Sequence, residues 1–261
     1  MIRSLWTGTT GMHAQQLNID VIANNLANVS TTGFKKSKAD FQDLLYQATK
    51  VPGAQTSADT ESPTGIQIGL GVKPAAVTKI FTQGDLIQTE NELDVAIEGN
   101  GFFQIEIPNG DTAYTRSGAL KLDGDGRLTN SDGYPLTPGI TIPDGANQIT
   151  IGGTGIVSAL IGDDTESTEL GTIQLANFTN NSGLRARGQN LFEESPSSGD
   201  AQTGTPGDDG YGTLLQTYLE GSNVNIVEEL ASMITTQRAY EINSKTIQTS
   251  DEMMQTTNQL I

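Results

Sequence analysis

A chain of 261 residues with 31 acidic and 14 basic side chains carries a formal charge of −17 and has no cysteine. Nucleic acid, which needs basic surface, is therefore not its main partner, and neither a disulfide framework nor a thiolate metal site is available. No run reaches the roughly 18 apolar residues of a membrane helix, so no membrane insertion is expected.

The opening "MIRSLWTGTTGMHAQQ" has one early arginine but no apolar core and no cleavage site, so an ordinary cleaved secretory signal is not expected. The N-terminal segment instead predicts a helix from Ile2 to Val29. Leu5, Met12, Ile19 and Leu26 recur every seven residues, and Ile22 and Val29 extend the stripe at the intermediate heptad position. Gly8 and Gln15 are its weak points. The result is a narrow seam, not the broad face of a globular core helix. Asn24, Asn25 and Asn28, poor helix formers, crowd its last turns; Gly33 stops it, and Phe34 and the basic triplet Lys35, Lys36 and Lys38 follow.

Two stretches, 49–65 and 193–212, are rich in Gly, Pro, Ser, Thr and Asp and read as linkers, or as loops that need a partner to hold them. Between them, residues 72–178 alternate short β-rich runs such as "LDVAI" and "GFFQIEI" with turn signals such as "PNGD" and "NSDG", the texture of an all-β domain. The C-terminal segment returns to a heptad seam. Asn225 offers an N-cap with Glu228 three residues on; Ile226, Met233, Tyr240, Ile247, Met254 and Ile261 fall every seven residues, with Leu230, Gln237, Ser244, Asp251 and Asn258 as companions. At 1.5 Å per residue this is a rod of roughly 50 Å.

The expected fold class is α+β: long N- and C-terminal helices packed as a coiled-coil-like pair, an inserted all-β domain and extended linking segments. The expected boundaries are 1–32 and 224–261 for the helices, 33–71 and 183–223 for the linking segments, and 72–182 for the β domain. Net charge is +2 over residues 1–50, −3 over 224–261 and −16 between them, so the ends are near balance and the middle repels copies of itself. Narrow seams gain little alone, which points to packing between molecules.

Chemistry is sparse. His13 is the only histidine, which removes zinc-protease motifs and most histidine-dependent triads. The run "DGDGRLTNSDGY" has acids at the start of a calcium-loop pattern but lacks its glycine and bidentate glutamate, and reads as a hairpin turn. Carboxylate pairs such as Asp94/Glu98 or Asp163/Asp164 fit a glycosidase only on paper, since many acids make chance pairs and aromatics are few. No catalytic, cofactor or metal site is expected. An acidic secreted carbohydrate-active or calcium-binding β protein is the remaining reading from another class.

Four long runs carry a resemblance. "DVIANNLANVSTTGFKKSKADFQDLLYQ" (20–47), "LDVAIEGNGFFQI" (93–105), "YTRSGAL" (114–120) and "YLEGSNVNIVEELASMITTQRAYEINSKTIQTSDEM" (218–253) resemble, in order, the motifs of bacterial flagellar rod and hook axial proteins. The run 44–74, "LLYQATKVPGAQTSADTESPTGIQIGLGVKP", is similar to the segment that marks the distal section of the rod, not the hook or proximal rod subunits.

The resemblance implies a non-enzymatic structural subunit, a helical homo-polymer forming a hollow tube that transmits torque. Terminal helices lie innermost and the β domain outermost. It also implies export without a cleaved signal through the flagellar export apparatus, a place in the basal body across the periplasm and outer-membrane region, and as partners the proximal rod and hook subunits and the ring bushing. On that reading the heptad residues form the assembly seam. Asn24, Asn25 and Asn28 then either fix register between packed helices or face a channel or loop. Lys35, Lys36 and Lys38 either meet acids such as Glu228, Glu229 or Glu241 of a neighbour or form a solvated basic turn.

Overall fold

The computed structural model describes residues 2–259 apart from 54, 58–59, 62, 109 and 163–166. Ile261 and the Asp163/Asp164 pair thus lie outside the described residues. The fold is α+β, with one long helix at each end of the chain, α1 (Ile2–Ala27) and α2 (Ile226–Gln259), and short strands between them. The described residues divide into two compact units: one of Met1–Leu26, Ser37–Thr78 and Asn225–Ile261, the other of Ala27–Lys36 and Lys79–Val224.

In the helical unit, α1 is rich in residues that form helices poorly on their own. Thr7 and Thr9 turn their hydroxyls back on the carbonyls of Arg3 and Leu5, at 3.0 and 2.8 Å, a local alternative that does not favour helix. Packing on α2 therefore holds α1 helical. α2 begins as its cap predicts: Asn225 Oδ1 accepts the Val227 N–H at 3.0 Å, and Glu228 and Glu229 place negative charge in the first turn. Two-stranded ribbons complete this unit. Ser37–Asp43 pairs with Val72–Lys79, Tyr46–Lys50 antiparallel with Ile66–Gly69, and Gln55–Ser57 antiparallel with Thr60–Glu61.

The expected helix end at Val29 is corrected: α1 stops at Ala27. Asn28 begins a turn in which its carbonyl accepts the Thr31 N–H at 3.1 Å and its side chain accepts the Thr31 hydroxyl at 3.2 Å. Gly33 then takes φ +68°, and a Cβ there would meet the Ser117 nitrogen at 2.6 Å. Only glycine satisfies both demands. Val29 consequently lies in the turn and not on a helical seam.

The β unit is organised about the strand Phe102–Glu106, which pairs antiparallel with Thr112–Thr115, Leu175–Asn177 and Leu136–Thr137. Alternation along that strand sorts its side chains. Phe103 and Ile105 join the main core with Val95, Ile97, Leu128 and Leu175. Phe102 faces a second, aromatic core with Tyr114, Phe178 and Phe192, where Tyr114 and Phe178 meet edge to face at 4.7 Å.

Residues 33–71 and 183–223, expected as partly extended linking segments, carry strands of their own. Leu191–Glu193 pairs with Thr112–Thr115, Gln202–Gly204 with Leu175–Asn177, and Thr213–Gln216 with Val95–Glu98. Backbone ladders tie them in, and their apolar residues enter the cores, Leu191 and Leu214 the main one and Phe192 the aromatic one. The "DGDG" run is a turn, in which Arg127 bridges Asp123 and Asp125 at 3.4 Å. Asp94 is buried and accepts the Asn91 side-chain amide at 3.0 Å.

Candidate assembly site

The two helices meet in an antiparallel ladder that hydropathy does not reveal. Ser4 and Ser250 share a hydroxyl hydrogen bond at 3.1 Å, Asn18 Nδ2 donates to Thr236 Oγ1 at 3.1 Å, and Asn25 Nδ2 donates to Glu229 Oε2 at 3.3 Å. Gly11 lies against Asn243, whose Nδ2 is 2.9 Å from where a Cβ would stand. Positions 4, 11, 18 and 25 thus face 250, 243, 236 and 229, a rung every seven residues on each helix. Among the described residues of α2, only Glu229, Thr236 and Ser250 are buried.

Apolar contacts flank the rungs. Ile247 packs onto the space left by Gly8, 2.9 Å from a notional Cβ, so the weak point of the predicted stripe is what lets α2 approach. Ile22 is buried, while Leu5, Met12, Ile19, Leu26, Met233, Ile247 and Met254 are half-buried. Leu230, expected as a companion of the α2 stripe, is 42% exposed; the companions that face α1 are Glu229, Thr236, Asn243 and Ser250, one position earlier. Ile226 and Tyr240, on the stripe itself, are exposed.

The asparagines divide. Asn24 is exposed. Asn25 is 1% exposed and uses its amide fully: Oδ1 accepts the Ser37 N–H at 2.9 Å, and Nδ2 donates to the Ser37 carbonyl at 2.8 Å as well as to Glu229. It pairs with the backbone of Ser37 as a strand neighbour would. Asn28 serves the turn described above.

Within the β unit, the first lysine of the basic triplet is buried. Lys35 Nζ contacts Glu220 Oε1 at 2.6 Å and donates to the Thr82 carbonyl at 2.8 Å. Arg116 reaches Glu220 Oε2 at 3.4 Å and the Gly99 carbonyl at 2.7 Å, and the Gly84 N–H adds a bond to Glu220 Oε1 at 2.9 Å. Neither the Lys35 nor the Glu220 side chain has any exposure, and Arg116 has 3%. Burial pushes the Lys35 ammonium below its ordinary pKa, with Glu220 opposing and Arg116 assisting the shift. Burial lowers Arg116 likewise, again opposed by Glu220.

Around this node, Asn223 Oδ1 accepts the Lys36 N–H at 2.7 Å, and Lys79 Nζ sits 5.0 Å from the centre of the buried Phe34 ring. Lys38 is exposed beside Asp40. So in this chain Lys35 meets Glu220, and Glu229 meets Asn25.

Several apolar side chains are left uncovered. Val227 is 75% exposed, Ile234 51% and Ile242 66%, and Trp6 on α1 is 69% exposed. Val227, Leu230 and Ile234 follow the three-and-four spacing of one helical side. The ribbon of Tyr46–Lys50 and Ile66–Gly69 also exposes Tyr46, Ile66 and Ile68.

Three family models match the chain: Flagella basal body rod protein over residues 5–35, Flagellar hook protein FlgE/F/G D1 domain over 96–159, and Flagellar basal body rod FlgEFG protein C-terminal over 215–260. Relatives named flagellar basal-body rod protein FlgG match along the whole length. That of Buchnera aphidicola subsp. Schizaphis graminum is 51% identical over 260 residues, 100% of each chain, and that of Borreliella burgdorferi 50% over 262 residues, 100% of this chain and 99% of its own. The chain belongs to the FlgG family of flagellar basal-body rod proteins. The FlgG of Agrobacterium fabrum is 51% identical over 97% of each chain. A flagellar hook protein FlgE from Helicobacter mustelae is 42% identical, but over 51% of this chain and 30% of its own length. Lys35, Arg116 and Glu220 come one each from three of the four runs that carry the resemblance.

Proposed function

We propose that this chain is a structural, non-catalytic subunit of the distal rod of the flagellar basal body, where it polymerises helically into a hollow shaft that carries torque to the hook. The observation that carries this reading is α2: a helix of 34 residues whose apolar side chains Val227, Ile234 and Ile242 stand in solvent. Copies of the chain stacked helically supply the missing cover. In that polymer the terminal helices lie inside and the acidic β unit outside, in keeping with the charge map. Its neighbours are proximal rod and hook subunits and the surrounding ring proteins, and the flagellar export apparatus delivers it without a cleaved signal. Full-length similarity to rod proteins, against similarity to half of this chain for the hook protein, favours the rod over the hook.

The test is electron microscopy of the purified chain at high concentration. Hollow tubes of uniform diameter support the proposal, and persistently monomeric protein at all concentrations counts against it. The same images test residues 51–65 beyond the Tyr46–Lys50 strand. Replacing them with a Gly/Ser segment of equal length is expected to leave tubes that bend more, because a long segment held between subunits stiffens what a free tether does not. Unchanged persistence length would assign that segment no role in the shaft.

A further inference from the structure

A heptad interface has a weakness that the ladder exposes. Sliding α2 along α1 by seven residues, roughly 10 Å, moves every residue onto the place of its heptad equivalent. Asn18 then meets Asn243 instead of Thr236, and Asn25 meets Thr236, so the polar rungs stay polar. The flanking stripe Met233, Tyr240, Ile247 and Met254 maps onto itself in the same way. By polarity alone, neither the rungs nor the stripe distinguishes the two registers.

Three contacts do. Ile247 fits against α1 only where Gly8 leaves room, since a Cβ there would stand 2.9 Å from its Cγ1; after the slide, Ile247 faces Gln15 or its surroundings instead. Gly11 likewise admits Asn243, whose Nδ2 is 2.9 Å from a notional Cβ; after the slide, Asn243 faces Asn18. Glu229, buried at 9% exposure, has the Asn25 amide at 3.3 Å, whereas after the slide it lies past the end of α1. A carboxylate that loses its buried donor is costly, and Asn25 is itself fixed by both hydrogen bonds to Ser37.

We propose that Gly8/Ile247, Gly11/Asn243 and Asn25/Glu229 are the register-determining contacts of the helix pair, and that the rungs Ser4/Ser250 and Asn18/Thr236 confer cohesion without specificity. This gives Asn25 a defined task, to hold Glu229, and gives Gly8 one, to admit Ile247. It rests on the helix pair alone and stands or falls independently of the rod assignment.

The absence of cysteine makes a direct test available in the full-length chain. The pair N18C/T236C reports the observed register and N18C/N243C the shifted one, each oxidised under equilibrium conditions and scored by mass spectrometry. In the otherwise unaltered chain the first pair is expected to close at least about tenfold more than the second. Adding Gly8→Leu, Gly11→Leu and Glu229→Leu is expected to bring the two yields within about threefold. Should that triple variant lose helix by circular dichroism, Gly8→Ala with Gly11→Ala and Glu229→Gln serves, and a smaller move in the same direction is expected. If N18C/N243C closes as readily as N18C/T236C in the unaltered chain, or if the variants leave the preference intact, the proposal is overturned and the connections at the helix ends set the register.

Discussion

Replacing Glu220 by alanine is expected to destabilise the β unit by about 3–5 kcal/mol, lowering its Tm by roughly 10 °C. The carboxylate stands between the two buried cations Lys35 and Arg116 and also takes the Gly84 N–H. Without it, two desolvated positive charges face each other with no anion between them. Removing all three charges costs less. Glu220→Met with Lys35→Met and Arg116→Met removes the carboxylate and both cations together, and is expected to recover more than half of the loss, since apolar side chains tolerate burial that an unpaired ion does not. Lys38→Ala, two residues beyond Lys36 in the same basic triplet but exposed, is expected to leave Tm unchanged. Thermal melts of the four proteins check all of this. A Glu220→Ala protein that melts with the wild type would mean that the node is incidental to the fold.

The second large effect concerns assembly. Ile234 is 51% exposed on α2, so Ile234→Asp is expected to leave the monomer folded, with an unchanged circular dichroism spectrum. Where a neighbouring subunit covers that face, however, the carboxylate is buried without a partner, at a cost of about 3 kcal/mol per subunit. The critical concentration for polymer should therefore rise roughly a hundredfold. Tyr240→Asp, at an exposed position of the stripe, is expected to act in the same direction. Sedimentation across a concentration series gives the number. Polymer at the wild-type threshold would place Ile234 on a surface that stays in solvent.

The physics explains which features the sequence disclosed. Both helices were legible because Leu5, Met12, Ile19 and Leu26, and then Met233, Tyr240, Ile247 and Met254, repeat at a fixed interval that any packed seam requires. The β texture of the middle was legible from turn chemistry. The ladder at 4, 11, 18, 25 and 229, 236, 243, 250 was equally periodic but made of Ser, Gly, Asn, Thr and Glu, and a search for apolar repeats passes over it. A search for heptads of small and polar residues would have found it. Lys35 was illegible for another reason: burial of a lysine is decided by a carboxylate 185 residues away, and a basic triplet looks the same whether solvated or enclosed. The strands within 183–223 were hard to delimit because each is only three or four residues long, too short for Leu191, Phe192 or Leu214 to show a period.

Amide hydrogen exchange, compared between dilute monomer and sedimented polymer, reports which surfaces copies of this chain bury against one another. If the terminal helices are the surfaces that copies of this chain bury, amides of Ile2–Ala27 and Ile226–Gln259 should exchange readily in the monomer and slow by about a hundredfold or more in the polymer. Strands of the β unit such as Phe102–Glu106 should exchange alike in both. New protection confined to the β strands, with the helices unchanged, would contradict the account.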